Sequence, residues 1–585
     1  MAPYQHDVLD PLAVVAERAR DAVTALAPWL HSRAGVILRQ FTQLRASVDM
    51  LYSLLLVAAS LTSPADGVHV VPGVESTSPI FDAFMSFSIE FVFWPDFAGN
   101  KSHPNRFSDN LLENLGQLQG VRPYVRVGGN TQDYALYDES LPYAVNGTYD
   151  LKRSKDYPTT IDIGPSFFES YSTFNNTKFT HGFNLGIGGI KPEGRAALLA
   201  TVPLACKAIG KANLDMWEYG NEPDLFSISA QGPVRPLTWN AEEYVKEWLN
   251  GTRDIRGALE KSCPDMLEGD LYGYVAPSNG GVYNPLQAGE QWSEGLNRDG
   301  NVKLFSTHNY ISGAESPGVT LQDTLMNHHK TTQSVDAHVR TYRDLTAHHD
   351  DVPPHILGEH NSLYHQGKPG LSNSFGAALW GIDFNLYAAS VGIKRVHMHM
   401  GTDYRYGSWQ PITTSTTVAG TKPPYYGNVA VAAMLSPGRA VPPPRISVAH
   451  ISLPTPRAAA YAAYHNSTLA RLLVLNLEAH NSTVNGTGGI PDPTAPARPL
   501  FRYAFAVPGL HGSARVQRLF ANGSDAISGI TWDGWSYNQE LADGRPVRLR
   551  NVTVGERVEV REGVVEVEVP ASQAVLVSFG EAGEE

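Results

Sequence analysis

The chain has 585 residues, 42% hydrophobic and 18% charged, which is the composition of a globular protein with ample core and more than one ordinary domain. Its net charge is −13, which argues against a long nucleic acid or a heavily sulfated polymer as main partner, because polyanions bind basic surfaces. The sequence holds no HExxH, HxxEH or CxxC motif and no Cys/His cluster of zinc spacing, so it calls for no metal.

The first informative segment is Leu51–Leu61, an apolar run without charge, followed by Thr62-Ser63-Pro64-Ala65. It is shorter than the roughly 20 residues that span a bilayer and has the length of a secretory signal core. Met50 directly precedes it, so residues 50–65 read as a signal peptide and residues 1–49 as an upstream extension or gene-model error. Nine N-x-S/T sequons, at Asn100, Asn146, Asn175, Asn250, Asn466, Asn481, Asn485, Asn522 and Asn551, point to a glycosylated, secreted protein without a membrane span. Cys206 and Cys263 can pair or stay as two buried thiols; sequence alone does not fix their distance.

Residues 83–440 alternate short apolar runs with helix-like stretches. The strand runs are Phe84–Phe91, Tyr124–Val127, Gly182–Leu185, Asp215–Tyr219, Leu271–Val275, Val302–Ser306, His355–Leu357 and Arg395–His399. Between them lie helix-like segments including Glu193–Gly210, Ala241–Ser262, Val335–His348 and Phe375–Val391. Eight strands with helical crossovers predict an α/β fold, a (β/α)8 TIM barrel. Residues 441–585 change texture: strand-like runs at Ala459–Tyr464, Leu472–Leu477, Arg502–Val507, Val564–Val569 and Ala574–Phe579 predict an all-β sandwich. Val565–Val569 alternates with period two, as a half-exposed strand does. Gly488–Pro499 reads as a long loop. Residues 66–82, with the strand candidate Val68–Val71, are expected to join the β-domain, which reads as a support for the barrel reached from both ends.

In such a barrel the chemistry sits at the C-terminal strand ends. Run four ends in Gly220-Asn221-Glu222-Pro223 and run seven in Gly358-Glu359-His360-Asn361. Two opposed carboxylates are what glycoside hydrolysis requires: one protonates the leaving oxygen and the other attacks the anomeric carbon or activates water. One of them must stay protonated, which burial and an ionised neighbour both favour. Run two gives Arg126-Val127-Gly128-Gly129-Asn130; Arg126 either orients a carboxylate or sits in a structural ion pair. Run six gives His308-Asn309-Tyr310, where Tyr310 either holds a carboxylate ionised or packs as an ordinary aromatic. Run one carries Glu90, and run eight continues into the aromatic-rich Asp403–Trp409, which suits sugar faces.

Arg126-Val127-Gly128-Gly129, Trp217-Glu218-Tyr219-Gly220-Asn221-Glu222-Pro223 and Gly358-Glu359-His360-Asn361-Ser362-Leu363-Tyr364 resemble glycoside hydrolase family 79 of the clan A retaining glycosidases. That family holds heparanase and the microbial and fungal β-glucuronidases, and the likeness is greatest to the fungal single-chain enzymes. The resemblance runs over most of residues 66–585. It implies Glu222 as acid/base, Glu359 as nucleophile, Asn221 on the sugar 2-hydroxyl, Tyr310 on the nucleophile and Glu90 on sugar hydroxyls. Tyr364, Tyr406 and the backbone N–H groups of Gln366 and Gly367 would receive the uronate carboxylate, with Asn130 and His308 lining the site and Arg126 supporting it. His360 departs from the pattern, standing where a smaller residue is expected.

The implied function is a retaining exo-β-glucuronidase that releases terminal glucuronic acid or its 4-O-methyl ether from a glycan or proteoglycan. It needs no cofactor and acts as a monomer. In a retaining enzyme the two carboxyl groups lie about 5–5.5 Å apart, against about 6.5–9.5 Å in an inverting one. An endo-acting heparanase-like enzyme would need a basic open cleft, against the acidic balance. Another clan A specificity, such as a β-glucosidase, would lack the carboxylate pocket, and a non-catalytic carbohydrate-binding wall protein would be betrayed by loss of either glutamate. N-terminal sequencing of the secreted protein should find a first residue downstream of Met50; a start upstream of it would overturn the signal-peptide reading.

Overall fold

The computed structural model of the protein describes residues 67–229, 233–486 and 488–580; the expected upstream extension and signal segment lie outside them. Eight strands close into a barrel: β1 (Met85–Glu90), β2 (Val125–Gly128), β3 (Phe179–Phe183), β4 (Leu214–Tyr219), β5 (Tyr274–Asn279), β6 (Val302–Gly313), β7 (His355–Tyr364) and β8 (Val396–Met400). Each runs parallel to its neighbour in chain order, and β8 closes on β1.

All eight overlap the runs expected from the sequence, with informative offsets. The strands β5, β6 and β7 extend to Asn279, Gly313 and Tyr364, past the apolar runs that announced them. The added residues include Ser278, Asn279, His308, Asn309, Glu359 and Asn361, all buried. Near the C-terminal mouth of the barrel the strand carries buried polar side chains, so hydrophobicity understates its length. The start of the expected fifth run is lost because Leu271 closes a short 3₁₀ turn, Gly269–Leu271. In β3 the strand begins at Phe179, three residues ahead of the expected start.

The crossover helices carry their own start signals. Helix α1 spans Pro192–Ile209 with proline in its first turn, where a missing N–H costs nothing. Helix α2 spans Ala241–Ser262; the Asn240 side chain accepts from the Glu243 N–H, and Glu242 and Glu243 complement the helix N-terminus. Helix α3 spans His328–His348 and is capped by Asn327. Helices α4 (Phe375–Ser390) and α5 (Pro423–Met434) are buried almost all round. A barrel helix ordinarily keeps one face in water; these two do not because a second layer covers them.

That layer is one continuous 12-stranded sheet, built mostly from residues 446–578. The strand Val68–Val70 joins it in parallel to Leu500–Ala506, so the chain reaches this sheet from both ends of the barrel. The sheet curls over its own apolar core, which includes Leu472, Val474, Phe505, Val516, Val567 and Val575. The alternate residues Leu473, Leu475 and Leu576 face the other way and belong to the barrel's core, as the two-residue period of a strand requires. The strands Gly512–Phe520 and Arg557–Arg561 were not among the expected runs. Their outward positions carry Arg515, Gln517 and Glu559, so their apolar signal is halved.

Cys206 at the end of α1 and Cys263 just after α2 form a disulfide that closes a 57-residue separation, settling the alternative left open by the sequence. Among the described residues no helix is long and apolar enough to cross a membrane. In the chain-entropy account, a loop of this length contributes about 4 kcal/mol by restricting the unfolded chain. Thiol titration in denaturant should therefore find no reactive cysteine before reduction and both after it. The reduced protein should unfold at clearly lower denaturant; an unchanged midpoint would show that the bond adds no stability.

Candidate active site

A cavity of about 760 Å³ opens at the C-terminal ends of the barrel strands. Glu222 and Glu359 both line it, and a carboxylate oxygen of each lies within 4.8 Å of the other and of a His308 nitrogen. Asn221, Asn130, Glu90, Tyr310, Tyr364, Gln366 and Tyr406 line the same cavity.

The site is built around Arg126, which is 1% exposed. Its Nη1 donates to Glu359 Oε2 at 2.6 Å and to Ser88 Oγ at 2.9 Å. Its Nη2 donates to Asn221 Oδ1 at 2.7 Å, and its Nε to Glu218 Oε2 at 2.9 Å. One planar guanidinium thus ties four side chains from three other strands and the turn after β4 into a fixed relation. The paired glycines after it are steric necessities. A Cβ on Gly128 would stand 2.7 Å from Arg126 Nε, and one on Gly129, whose φ is +108°, would stand 2.6 Å from Glu90 Oε1.

Glu359 is 5% exposed on β7. Tyr310 donates its hydroxyl to Glu359 Oε1 at 2.7 Å, and His399 Nδ1 lies 3.5 Å from Oε2. Burial by itself raises this carboxyl; His399, His308, Arg126 and the Tyr310 hydrogen bond outweigh it and hold Glu359 well below the usual carboxylate range. Glu222 follows β4 in the left-handed region, with φ +51°, a conformation that costs a non-glycine residue energy and is kept at functional sites. Its Oε1 shares a hydrogen bond of 2.9 Å with His308 Nδ1. Burial, then the charge of Glu359, push Glu222 well above the usual carboxylate range. Burial also depresses His308 to about 4, so it stays neutral beside Glu222. Burial opposes a charge on His399, but Glu359 and Glu90 outweigh it and raise its pKa. The two glutamates are therefore held in opposite protonation states, the condition for one acid and one anion in the same cavity.

Asn221 is positioned from three sides: its side chain accepts from Arg126 and donates to Asn130 Oδ1 at 3.1 Å, and its N–H donates to Asp133 Oδ2 at 2.7 Å. Glu90 accepts from the Thr131 N–H and hydroxyl at 2.9 and 2.6 Å. Tyr406 lies with its hydroxyl 3.5 Å from that of Tyr310, and Tyr364 stands at the mouth, 44% exposed.

Three expectations need adjustment. Gly367 does not line the cavity, and its N–H is already donated to the Leu363 carbonyl at 3.0 Å; the sharp turn after β7 consumes it. His308 lies behind the cavity wall and acts on Glu222 without lining the space. His360 points out of the barrel and stacks on Phe384 of α4 with ring centroids 4.9 Å apart, so its size does not crowd the site.

Sequence reasoning missed His399, Glu218, Ser88 and Asp133. The apolar–polar alternation of Phe84–Phe91 carries a signal for Ser88, since Ser86, Ser88 and Glu90 share one face of β1. Nothing in the sequence marks Asp133, whose carboxylate accepts N–H groups from Leu185, Gly186 and Asn221 and so joins loops far apart in the chain.

A model of the glycosyl hydrolase family 79 C-terminal beta domain matches residues 460–576. A β-glucuronidase of Neurospora crassa is 57% identical over 552 residues, covering 90% of this chain and 99% of that protein. The chain belongs to glycoside hydrolase family 79. A β-glucuronidase of Aspergillus niger is 52% identical over 529 residues, covering 88% of this chain and 94% of that protein. Among solved structures, a 4-O-α-L-rhamnosyl-β-D-glucuronidase from Fusarium oxysporum 12S has a TM-score of 0.68 at 24% identity, covering 88% of this chain and 100% of its own. A family 51 α-L-arabinofuranosidase from Bifidobacterium longum has a TM-score of 0.56 at 14% identity, covering 89% of this chain and 100% of its own. Both structures share the fold. As a family 79 member the protein is a glycoside hydrolase.

The opposed pKa shifts fix a pH profile. Hydrolysis should be lost as pH falls through the depressed pKa of Glu359 and as pH rises through the raised pKa of Glu222, giving a bell that extends above the ordinary glutamate value of about 4.3. In Arg126→Lys the acid limb should move up by about one pH unit, because the hydrogen bond from Nη1 to Glu359 Oε2 is lost. An unmoved acid limb would show that Arg126 does not control Glu359.

Proposed function

We propose that this protein is a secreted, monomeric, retaining exo-β-glucuronidase. Glu359 attacks the anomeric carbon of a terminal β-glucuronosyl unit while Glu222 protonates the departing oxygen. Glu222, now a base, takes a proton from water as the glycosyl-enzyme ester is hydrolysed, and glucuronic acid leaves with retained configuration. The observation that carries this reading is the pair of carboxyls that line one cavity, with an oxygen of each within 4.8 Å of the other and the two groups held in opposite protonation states. The spacing accords with the retaining geometry and falls short of the inverting one.

Arg126, Tyr310 and His399 keep the nucleophile ionised and aimed. Asn221, fixed by Arg126 and Asp133, presents its amide to the sugar 2-hydroxyl, and Glu90 takes further hydroxyls. The uronate carboxylate is assigned to the part of the cavity lined by Tyr406, Tyr364 and Gln366, since Tyr310 has already donated its hydroxyl proton to Glu359. Hydroxyl donors suit it there, since an added cation would compete with Arg126 for Glu359. The β-glucuronidases of Neurospora crassa and Aspergillus niger support the specificity. Secretion is supported by the disulfide and by the exposure of the asparagine in all nine sequons.

The first assay compares an aryl β-D-glucuronide with the matching glucoside. The glucuronide should be strongly preferred, and Glu359→Gln should lose at least about a thousandfold in kcat on it. Tyr406→Phe should cut the preference by roughly tenfold or more, the value of one hydrogen bond to a charged group. Preference for the glucoside would overturn the specificity while leaving the two-glutamate chemistry in place.

A further inference from the structure

The loop that follows β5 runs alongside Glu222. A Cβ on Gly280 would lie 2.9 Å from Glu222 Cδ and 3.0 Å from Leu225 Cδ1, so only glycine lets the backbone pass this close to the proposed acid. Fully buried Asp224 fixes the loop from below. Its Oδ1 accepts from the Gly280 N–H at 2.8 Å, and its Oδ2 from the Gly281 N–H at 3.3 Å and from Asn284 Nδ2 at 2.7 Å. At the tip of this pinned loop, Tyr283 is 81% exposed.

Tyr283 stands between two cavities. One is the cavity that holds the glutamates; the other, of about 600 Å³, shares Gly280–Tyr283 and Tyr310 with it. The second cavity has a mixed lining, in which Asn309, Ser312, Asp323, Lys330, Gln333 and Ser334 supply polar groups beside apolar Ile311, Pro317 and Val319. Asn309 and Ser334 lock each other by reciprocal hydrogen bonds of 3.0 and 3.1 Å. An exposed ring on a pinned loop, beside a trough that offers polar groups, is suited to a sugar, whose apolar face stacks while its hydroxyls take the polar groups.

The leaving group must lie past the residue that protonates its oxygen, which is the side of Glu222 where Gly280–Tyr283 passes. Resting on the function proposed above, we infer that Tyr283 is the stacking platform for the sugar chain that leaves. Its first residue lies on the Tyr283 ring and its next reaches the second cavity. An apolar aglycone would leave the second cavity unused.

The test uses methyl β-glucuronide, whose leaving group, methanol, has nothing to stack, beside glucuronosyl-hexose and glucuronosyl-dihexose. Wild-type KM should fall from the methyl glucuronide to the disaccharide and again to the trisaccharide. Tyr283→Ala should raise KM roughly tenfold on the disaccharide and change the methyl glucuronide less than about twofold. Tyr283→Phe should restore the disaccharide, since stacking needs the ring and not the hydroxyl. Equal loss on all substrates, no loss on any, or failure of the phenylalanine variant to restore would overturn the inference. If the wild type turns over no glucuronide, the underlying function fails; if it turns them over without a Tyr283 effect, only the platform does.

Discussion

A single buried guanidinium organises this molecule's chemistry. Arg126 sits at the barrel axis with its charge divided between Glu218 and Glu359, and its remaining donors hold Ser88 and Asn221. A cation in that position is costly to desolvate and is tolerated because every donor finds an acceptor. The same arrangement forces the nearest carboxylate to ionise. Removing one partner would leave an unpaired buried charge, which is why the Arg-x-Gly-Gly turn, the Glu218 side chain and Glu359 form one unit although they come from β2, β4 and β7.

The asymmetry between the two glutamates follows from that unit. Glu359 faces Arg126, Tyr310 and His399, all of which favour an anion. Glu222 is somewhat more open; among the described residues only neutral His308 hydrogen-bonds its carboxyl, and it feels the anion already formed across the cavity. Two chemically identical side chains thus take opposite states because one was given the cation. The left-handed backbone at Glu222 and the close pass of Gly280 show how tightly this side chain is placed, and Asp224 extends that placement to the loop bearing Tyr283.

The β-domain contributes to this rigidity although none of its described residues lines the cavity. Its outer face shares a core with the barrel, so α4 and α5 are gripped on both sides. Tyr461 of the sheet donates to Asp383 of α4 at 2.7 Å, and Asp383 also pairs with His328 at 2.9 Å. The helices that back β7 and β8, which carry Glu359 and His399, are therefore fixed by both layers.

The sequence by itself determined the barrel, the sheet that follows it and the two glutamates. Alternating apolar runs and helices admit few packings, and carboxylates at the ends of runs four and seven stand where barrel chemistry occurs. It also announced Asn221, Tyr310 and Arg126, because each lies within a few residues of a strand end. It did not place His399, Asp133 or Tyr283, and it misjudged Gly367, whose N–H is spent inside its own turn. Nor could it choose between paired and free cysteines, or between an orienting and a merely structural Arg126. Those answers depend on which side chains meet across the barrel axis and which loops lie side by side. A barrel brings together residues hundreds of positions apart, and the distance between them, unlike the period of a strand or the cap of a helix, leaves no trace in the local order of amino acids.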